Sequence, residues 1–355
     1  MATRRETIRG RGAAENPPNR FESTRFEREP DDSAEPDEEP APATEFLRDS
    51  SRTIIATNDS PDVGFESSIN PYRGCEHGCI YCYARPTHEY LGFSAGLDFE
   101  TKILVKEDAP ALLRKELSSP RWTPKVIAIS GVTDPYQPAE RKLRVTRGCL
   151  EVLAEFRNPV GIITKNRLVT RDADLLAELA RDGAAVVFVS VTSLDAGLAR
   201  TLEPRASTPA FRLDAIAGLA AAGVPVGVMV APIIPGLTDH EVPAILEAAA
   251  RAGAGYAGYT FVRLPGAVAD LFGDWLERHR PDRRDKVLNR LRAMRGGRLN
   301  DPRFRHRMGG EGAIAGMIEK VFETTCERVG LSRRGPGLST AAFRRPGEQR
   351  LLFEC

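Results

Sequence analysis

The sequence predicts an α/β fold, a parallel sheet with helices packed outside it. Three observations carry this reading. Short β-branched runs alternate with stretches of helical periodicity through the middle of the chain, those runs are continuously apolar, and turn residues punctuate the junctions. Strands apolar on both faces belong to sheets covered by helices, which is what a succession of βα units builds.

The elements follow in order. A first strand is read at residues 67–70. Residues 126–129 form the next apolar run, ending in Ser130-Gly131, with a helix over 147–156. Residues 160–164 are the third strand, followed by 172–181, where apolar positions recur at helical spacing. Residues 185–191 make the fourth strand and 211–222 a helix. Strand 225–231 precedes helix 240–251, and residues 258–263 are the sixth strand. Six βα units form either an open doubly wound sheet or a partial barrel, and periodicity alone does not choose between them. In both, ligands bind at the carboxyl ends of the strands.

With 355 residues, 41% of them hydrophobic and 28% charged, the chain has material for one large domain. Residues 51–270 are read as that core. Residues 1–50, rich in Pro, Glu, Asp and Arg, are expected to be a disordered tail, because they cannot bury enough apolar surface to offset chain entropy. Residues 271–335 read as a basic helical extension, and 336–355 as a loosely ordered C-terminal tail. The formal net charge of +1 points to no class of partner, but the charges are unevenly spread. Residues 27–49 carry ten acidic side chains against Arg28 and Arg48. The stretch from Arg283 to Arg307 carries ten basic ones against Asp285 and Asp301. This basic run, with Arg290, Arg292, Arg295 and Arg298, reads equally as a solvated face or as a nucleic-acid contact, and the acidic tract is a candidate internal partner for it. No apolar segment follows the basic start, and no run of about 18 apolar residues is present to span a bilayer, so a cytoplasmic protein without a membrane partner is expected.

The chemistry is concentrated in Cys75-Glu76-His77-Gly78-Cys79-Ile80-Tyr81-Cys82, a C-x3-C-x2-C spacing directly after the first strand. Six cysteines in a chain this long are not a disulfide scaffold, and three within eight positions read as metal ligands. Thiolates favour zinc or iron–sulfur clusters. A cubane cluster takes one cysteine per iron. The next cysteine, Cys149, is 67 residues beyond Cys82 (149 − 82) and within a predicted helix, so one iron would keep an open site for chelation by an amine and a carboxylate. The alternatives are a Cys3His zinc site completed by His77 or His88, and three unrelated buried thiols. His77, between Cys75 and Cys79, is in a cramped position to complete a tetrahedron.

C-x3-C-x2-C with an aromatic residue, Tyr81, before the last cysteine resembles the signature of the radical S-adenosylmethionine (SAM) superfamily. The resemblance runs over residues 53–265 and is nearest to the spore photoproduct lyase-like branch and uncharacterised bacterial proteins grouped near it. Further matching stretches are Ser130-Gly131-Val132-Thr133-Asp134, Thr164-Lys165-Asn166, Ser190-Val191-Thr192-Ser193 and Ala231-Pro232-Ile233. Arg9-Gly10-Arg11-Gly12-Ala13 and residues 16–22 also resemble those uncharacterised proteins.

The resemblance implies a (β/α)6 partial barrel, a [4Fe–4S] cluster on Cys75, Cys79 and Cys82, and SAM chelating the unique iron. It further implies an enzyme. One electron, from a donor such as flavodoxin or ferredoxin, cleaves SAM to methionine and a 5′-deoxyadenosyl radical, which abstracts hydrogen from a substrate that the sequence does not identify. On this reading Lys165, at a strand end, meets the methionine carboxylate, and Ser190 hydrogen-bonds the same moiety. Thr133 and Asp134 stand where the superfamily usually has a Gly-Gly-Glu stretch for the SAM amino group. Tyr81 packs against adenine or covers the cluster from water. The competing function is a non-enzymatic zinc or iron–sulfur interaction protein. Cys149 reads as an apolar helix-face residue, and His88 and His240 as structural. A spore photoproduct lyase proper is not expected, because that enzyme's hydrogen-donor cysteine beside the second strand end corresponds to Gly131.

Overall fold

The structure, a computed structural model, describes residues 7–22 and 42–346. Its centre is six parallel strands, β1 (Ser67–Ile69), β2 (Ile127–Ile129), β3 (Val160–Thr164), β4 (Ala185–Ser190), β5 (Val226–Ile233) and β6 (Tyr256–Phe261). Each pairs in parallel with the next in chain order. The order never reverses, so the switch point of an open doubly wound sheet is absent from it. A singly wound βα succession curls instead, and the sheet is a partial barrel. Its two edges are β6 and a short antiparallel strand, Ala56–Thr57, beside β1.

Helices α1 (Ala109–Ser118), α2 (Val145–Phe156), α3 (Ala173–Arg181), α4 (Pro209–Ala221) and α5 (Val242–Arg251) join successive strands. Their apolar residues recur three or four apart and are buried on the sheet, as with Leu150 and Leu153 of α2 and Leu176 and Leu179 of α3. The extension contributes α6 (Val268–His279), α7 (Pro281–Ala293) and α8 (Gly312–Val329). α6 forms a second core, in which Phe272 and Trp275 stack and pack with Ile80 and Tyr81 of the cysteine loop. Among the described residues no helix is long and apolar enough to cross a membrane.

A three-stranded sheet beside the barrel was not legible in the sequence. Lys102–Val105 pairs in parallel with Glu45–Arg48 and antiparallel with Tyr72–Arg73. Tyr72–Arg73 lies directly before the cysteines, so this sheet fixes the approach to them.

The expectation of disorder over residues 1–50 is corrected for 7–22 and 42–50, which are held by hydrogen bonds and strand pairing to the rest of the chain. Residues 1–6 and 23–41, with most of the acidic tract, lie outside the described residues. Hydrogen bonds to fixed partners do what apolar burial could not. The backbone N–H groups of Gly12 and Ala13 donate to the Glu100 carboxylate at 2.9 and 2.8 Å, and Arg11 Nη1 donates to Glu100 O at 2.9 Å. Gly12 is required by close approach, since a Cβ there would lie 1.9 Å from Gly78 O in the cysteine loop. Gly12→Ala should therefore detach this arm. Losing two or three hydrogen bonds of about 1 kcal/mol each corresponds to cleavage of the arm by a protease at least roughly tenfold faster. Wild-type cleavage rates in the variant would show that the arm is not held this way.

The C-terminal tail is corrected in the same manner over 336–346, with 347–355 outside the described residues. Ser339 N donates to Gly183 O, Arg344 N donates to Phe156 O, and Phe343 packs on Phe156.

Candidate active site

The cysteine loop leaves the carboxyl end of β1 and is held by its backbone. Cys75 N donates to Phe99 O at 2.8 Å and Ile80 N to Leu202 O at 3.0 Å, while Gly78 N and Cys82 N close turns onto Cys75 O and Cys79 O. Gly74 and Gly78 have φ of +80° and +66°, the left-handed conformation these turns need. Arg85, fully buried, clamps the loop from behind. Its Nε donates to Cys79 O at 3.0 Å, its Nη2 to Gly78 O at 3.2 Å, and it pairs with the equally buried Glu100 at 2.5 Å. Glu100 is the carboxylate that takes the N-terminal arm, so arm, arginine and loop form one unit.

The strand ends converge on this loop. Asp134, after β2, accepts from Thr164 Oγ1 and Lys165 N at 2.7 Å each, both at the end of β3, and from Tyr136 N at 2.8 Å. Its Oδ2 lies 3.4 Å from His77 Nδ1. Burial alone would raise Asp134, but His77 and these donors overrule it and hold the carboxyl below its ordinary range. Asn166 continues the chain of contacts, with Nδ2 3.1 Å from His77 Nε2.

Glu203, which the sequence reading missed, is the centre of a second buried network. Its Oε1 accepts from Tyr81 OH, from Thr192 Oγ1 at 2.7 Å and from Lys165 Nζ at 3.1 Å, and its Oε2 pairs with Arg212. Glu203 and Arg212 are 2% and 1% exposed. Burial would raise the Glu203 carboxyl, yet Arg212 and Lys165 hold it far below the usual range. No local pattern marks either residue, because their partnership exists only in the fold.

A profile of the radical SAM superfamily matches residues 69–249, half of the chain. The uncharacterized protein Rv2578c of Mycobacterium tuberculosis (strain ATCC 25618 / H37Rv) is 40% identical over 232 residues, 64% of this chain and 68% of that one. The chain belongs to the radical SAM superfamily. Another relative, the uncharacterized protein MJ0683 of Methanocaldococcus jannaschii, is 29% identical over 184 residues, 52% of this chain and 66% of that one. Among solved structures, spore photoproduct lyase complexed with dinucleoside spore photoproduct matches with a TM-score of 0.55 at 18% identity, covering 81% of each chain. At that identity the likeness is one of fold, and it is the same (β/α)6 partial barrel.

As a radical SAM protein the chain is an enzyme, with a [4Fe–4S] cluster and SAM as its cofactors. The donor set suits such a cluster. Cys75, Cys79 and Cys82 are free thiols, the first two buried. Among the described residues no three His, Cys, Asp or Glu side chains converge tightly enough for a single ion, whereas a cubane spreads its thiolates over separate irons. Burial, then Asp134 and the neighbouring thiols, pushes Cys75 up, so three thiolates here need cations beside them. For the zinc alternative, both ring nitrogens of His77 are engaged by Asn166 and Asp134, while His88 has Nε2 2.9 Å from Lys102 O, its ring near Phe93 and Phe99, and its buried Nδ1 without a hydrogen-bond partner.

The residues expected to contact SAM lie on the strand ends and the cysteine loop. Lys165 stands beside the loop, but its ammonium donates inward to Ala231 O at 2.7 Å and Thr192 Oγ1 at 3.2 Å as well as to Glu203. Thr133 Oγ1 donates to Tyr72 O at 3.0 Å, and Asp134 accepts the contacts already described. The Tyr81 ring is buried in the α6 core and its hydroxyl is tied to Glu203, which favours covering the loop over stacking on adenine. Ser190 is buried at the end of β4, where its carbonyl accepts from Arg212. The basic run divides. Arg290 pairs with Asp239 at 2.6 Å and Arg295 is buried, whereas Met308, directly after the run, accepts a hydrogen bond from Phe261 N of β6.

Proposed function

We propose that Cys75, Cys79 and Cys82 hold the cluster and that the enzyme cleaves SAM reductively and abstracts a hydrogen atom from a nucleic-acid substrate. The observation that carries the first half is three free thiols on one preformed loop at the carboxyl end of a parallel partial barrel. Cluster and SAM supply the one-electron chemistry; the chain's own residues orient and shield it. Arg85 and Glu100 fix the loop backbone, Asp134 and Asn166 fix His77 within it, and Tyr81 with α6 excludes water from one side. Lys165, Thr192 and Glu203 act as positioning residues tying Tyr81 to the ends of β3, β4 and β5.

Support for a nucleic-acid substrate is the basic stretch ending beside β6 and the dinucleoside bound by a protein of the same fold. The reaction differs from that protein's, since Gly131 occupies the end of β2 with φ of +120° and no cysteine lies between Cys82 and Cys149. A flavodoxin or ferredoxin serves as electron donor. Anaerobically reconstituted protein, reduced chemically, should release 5′-deoxyadenosine from SAM slowly without any other substrate. Brown, sulfide-containing protein that forms none under reduction would overturn this function.

A further inference from the structure

Two arginine–aromatic pairs stand together at the open edge of the barrel. The Arg263 guanidinium, after β6, lies 4.9 Å from the ring centre of Tyr83, the residue directly following Cys82. The Arg307 guanidinium lies 4.4 Å from the ring centre of Phe304. Both rings are open to solvent, Tyr83 by 45% and Phe304 by 52%. The pairs share one surface, because Phe261 N at the end of β6 donates to Met308 O at 3.1 Å and Arg263 Nη1 lies 3.6 Å from Met308 Sδ.

The charges on this surface do not balance. Among the described residues no carboxylate lies within ion-pair distance of Arg263, and its buried Nε has no hydrogen-bond partner. Arg295 is 5% exposed and donates to two neutral carbonyls, Val262 O at 2.5 Å and Leu299 O at 2.9 Å, with its Nε also unpartnered. Burial, with Arg263 adding to it, depresses Arg295 to about 10. Asp62, on the loop entering β1, pairs with Arg307 and accepts from Arg305 N, bridging the two edges of the barrel. Asp301 is taken by Arg303 at 2.6 Å. Guanidinium groups wholly or partly buried without a directly paired carboxylate are costly, and an anionic ligand offsets that cost.

We propose that this surface binds single-stranded nucleic acid, with phosphates on Arg263 and Arg307 and bases stacked on Tyr83 and Phe304, which brings a nucleotide beside Cys82. The assignment rests on the nucleic-acid reading above and names its site. Alternating exposed rings and arginines suit unpaired bases, whose faces are free to stack, and not a duplex, whose faces are covered. Asp62 competes with phosphate for Arg307.

Fluorescence anisotropy of the full chain with a short labelled single-stranded DNA, and its RNA counterpart, tests this. Arg263→Gln and Arg307→Gln should each weaken binding about tenfold and reduce the slope of log affinity against log salt by about 0.7, one phosphate contact apiece. Tyr83→Ala should weaken binding at least about fivefold. Asp62→Asn should tighten it, an opposite sign that misfolding cannot imitate. Wild-type protein that binds neither strand at low salt, or affinity unchanged from wild type in both arginine variants, overturns the site. So does an Arg263→Gln variant that loses SAM in equilibrium dialysis while keeping the oligonucleotide, since the oxyanion would then be the SAM carboxylate. Failure of the radical SAM chemistry itself shows separately, in 5′-deoxyadenosine formation without oligonucleotide.

Discussion

Alanine in place of any one of Cys75, Cys79 and Cys82 should abolish the cluster and, with it, SAM cleavage. Each thiolate is assigned one iron, and among the described residues no other cysteine is placed to substitute. Cys149 and Cys326 are 0% and 1% exposed within the main core, on α2 and α8. Iron should fall from about four per chain to below about one, with loss of the brown absorbance and of detectable 5′-deoxyadenosine. The variants should nevertheless stay folded. The loop's shape depends on Arg85 donating to the Gly78 and Cys79 carbonyls, and on the Glu100 pair behind it, not on the thiols. Cys149→Ala is the contrast. It should cost on the order of 1 kcal/mol by leaving a small cavity, and leave iron content unchanged. A Cys79→Ala protein that retains four irons, or wild type that carries one zinc and no sulfide, would refute the assignment.

What the sequence made legible were the features written locally. The three cysteines, the β-branched runs and the polar stretches that end them occupy contiguous positions, and the fold places the ends of β1 to β5 around the cysteine loop as their order requires. What it did not make legible were contacts between distant segments. Gly12 and Ala13 lie in a stretch of disordered composition, and a carboxylate 88 and 87 residues away takes their backbone N–H groups. Lys165 was placed correctly at a strand end, yet its three donors are filled by Glu203, Thr192 and Ala231, so position did not disclose partner. Nothing in the local sequence marks Arg85, which is fully buried, because the carbonyls it serves belong to a loop whose path periodicity does not describe.

Glu203→Gln should be the most destabilising conservative change near the site. It removes one partner of a buried ion pair and leaves the Arg212 guanidinium, 1% exposed, without a counter-charge. Breaking such a pair costs about 3–5 kcal/mol, against a total stability of about 5–15 kcal/mol for a folded domain. The melting temperature should fall by roughly 10 °C. Tyr81 and Lys165 lose the charged acceptor they share, so SAM cleavage should drop even at temperatures where the variant is folded. The pH dependence gives an independent reading. Because the folded carboxyl lies below its ordinary value of 4.5, the unfolded chain takes up the proton first as pH falls. The pair's contribution is thus fully present at neutral pH and declines as pH drops from about 5 through the folded value. Other depressed carboxyls, Asp134 among them, add to the wild-type acid slope, so the informative quantity is the difference between the two proteins. Denaturant midpoints measured from neutral pH downward should converge, the variant losing less with acid than the wild type. Parallel curves, with the gap unchanged below pH 5, would mean that Glu203 is not the charged member of this network.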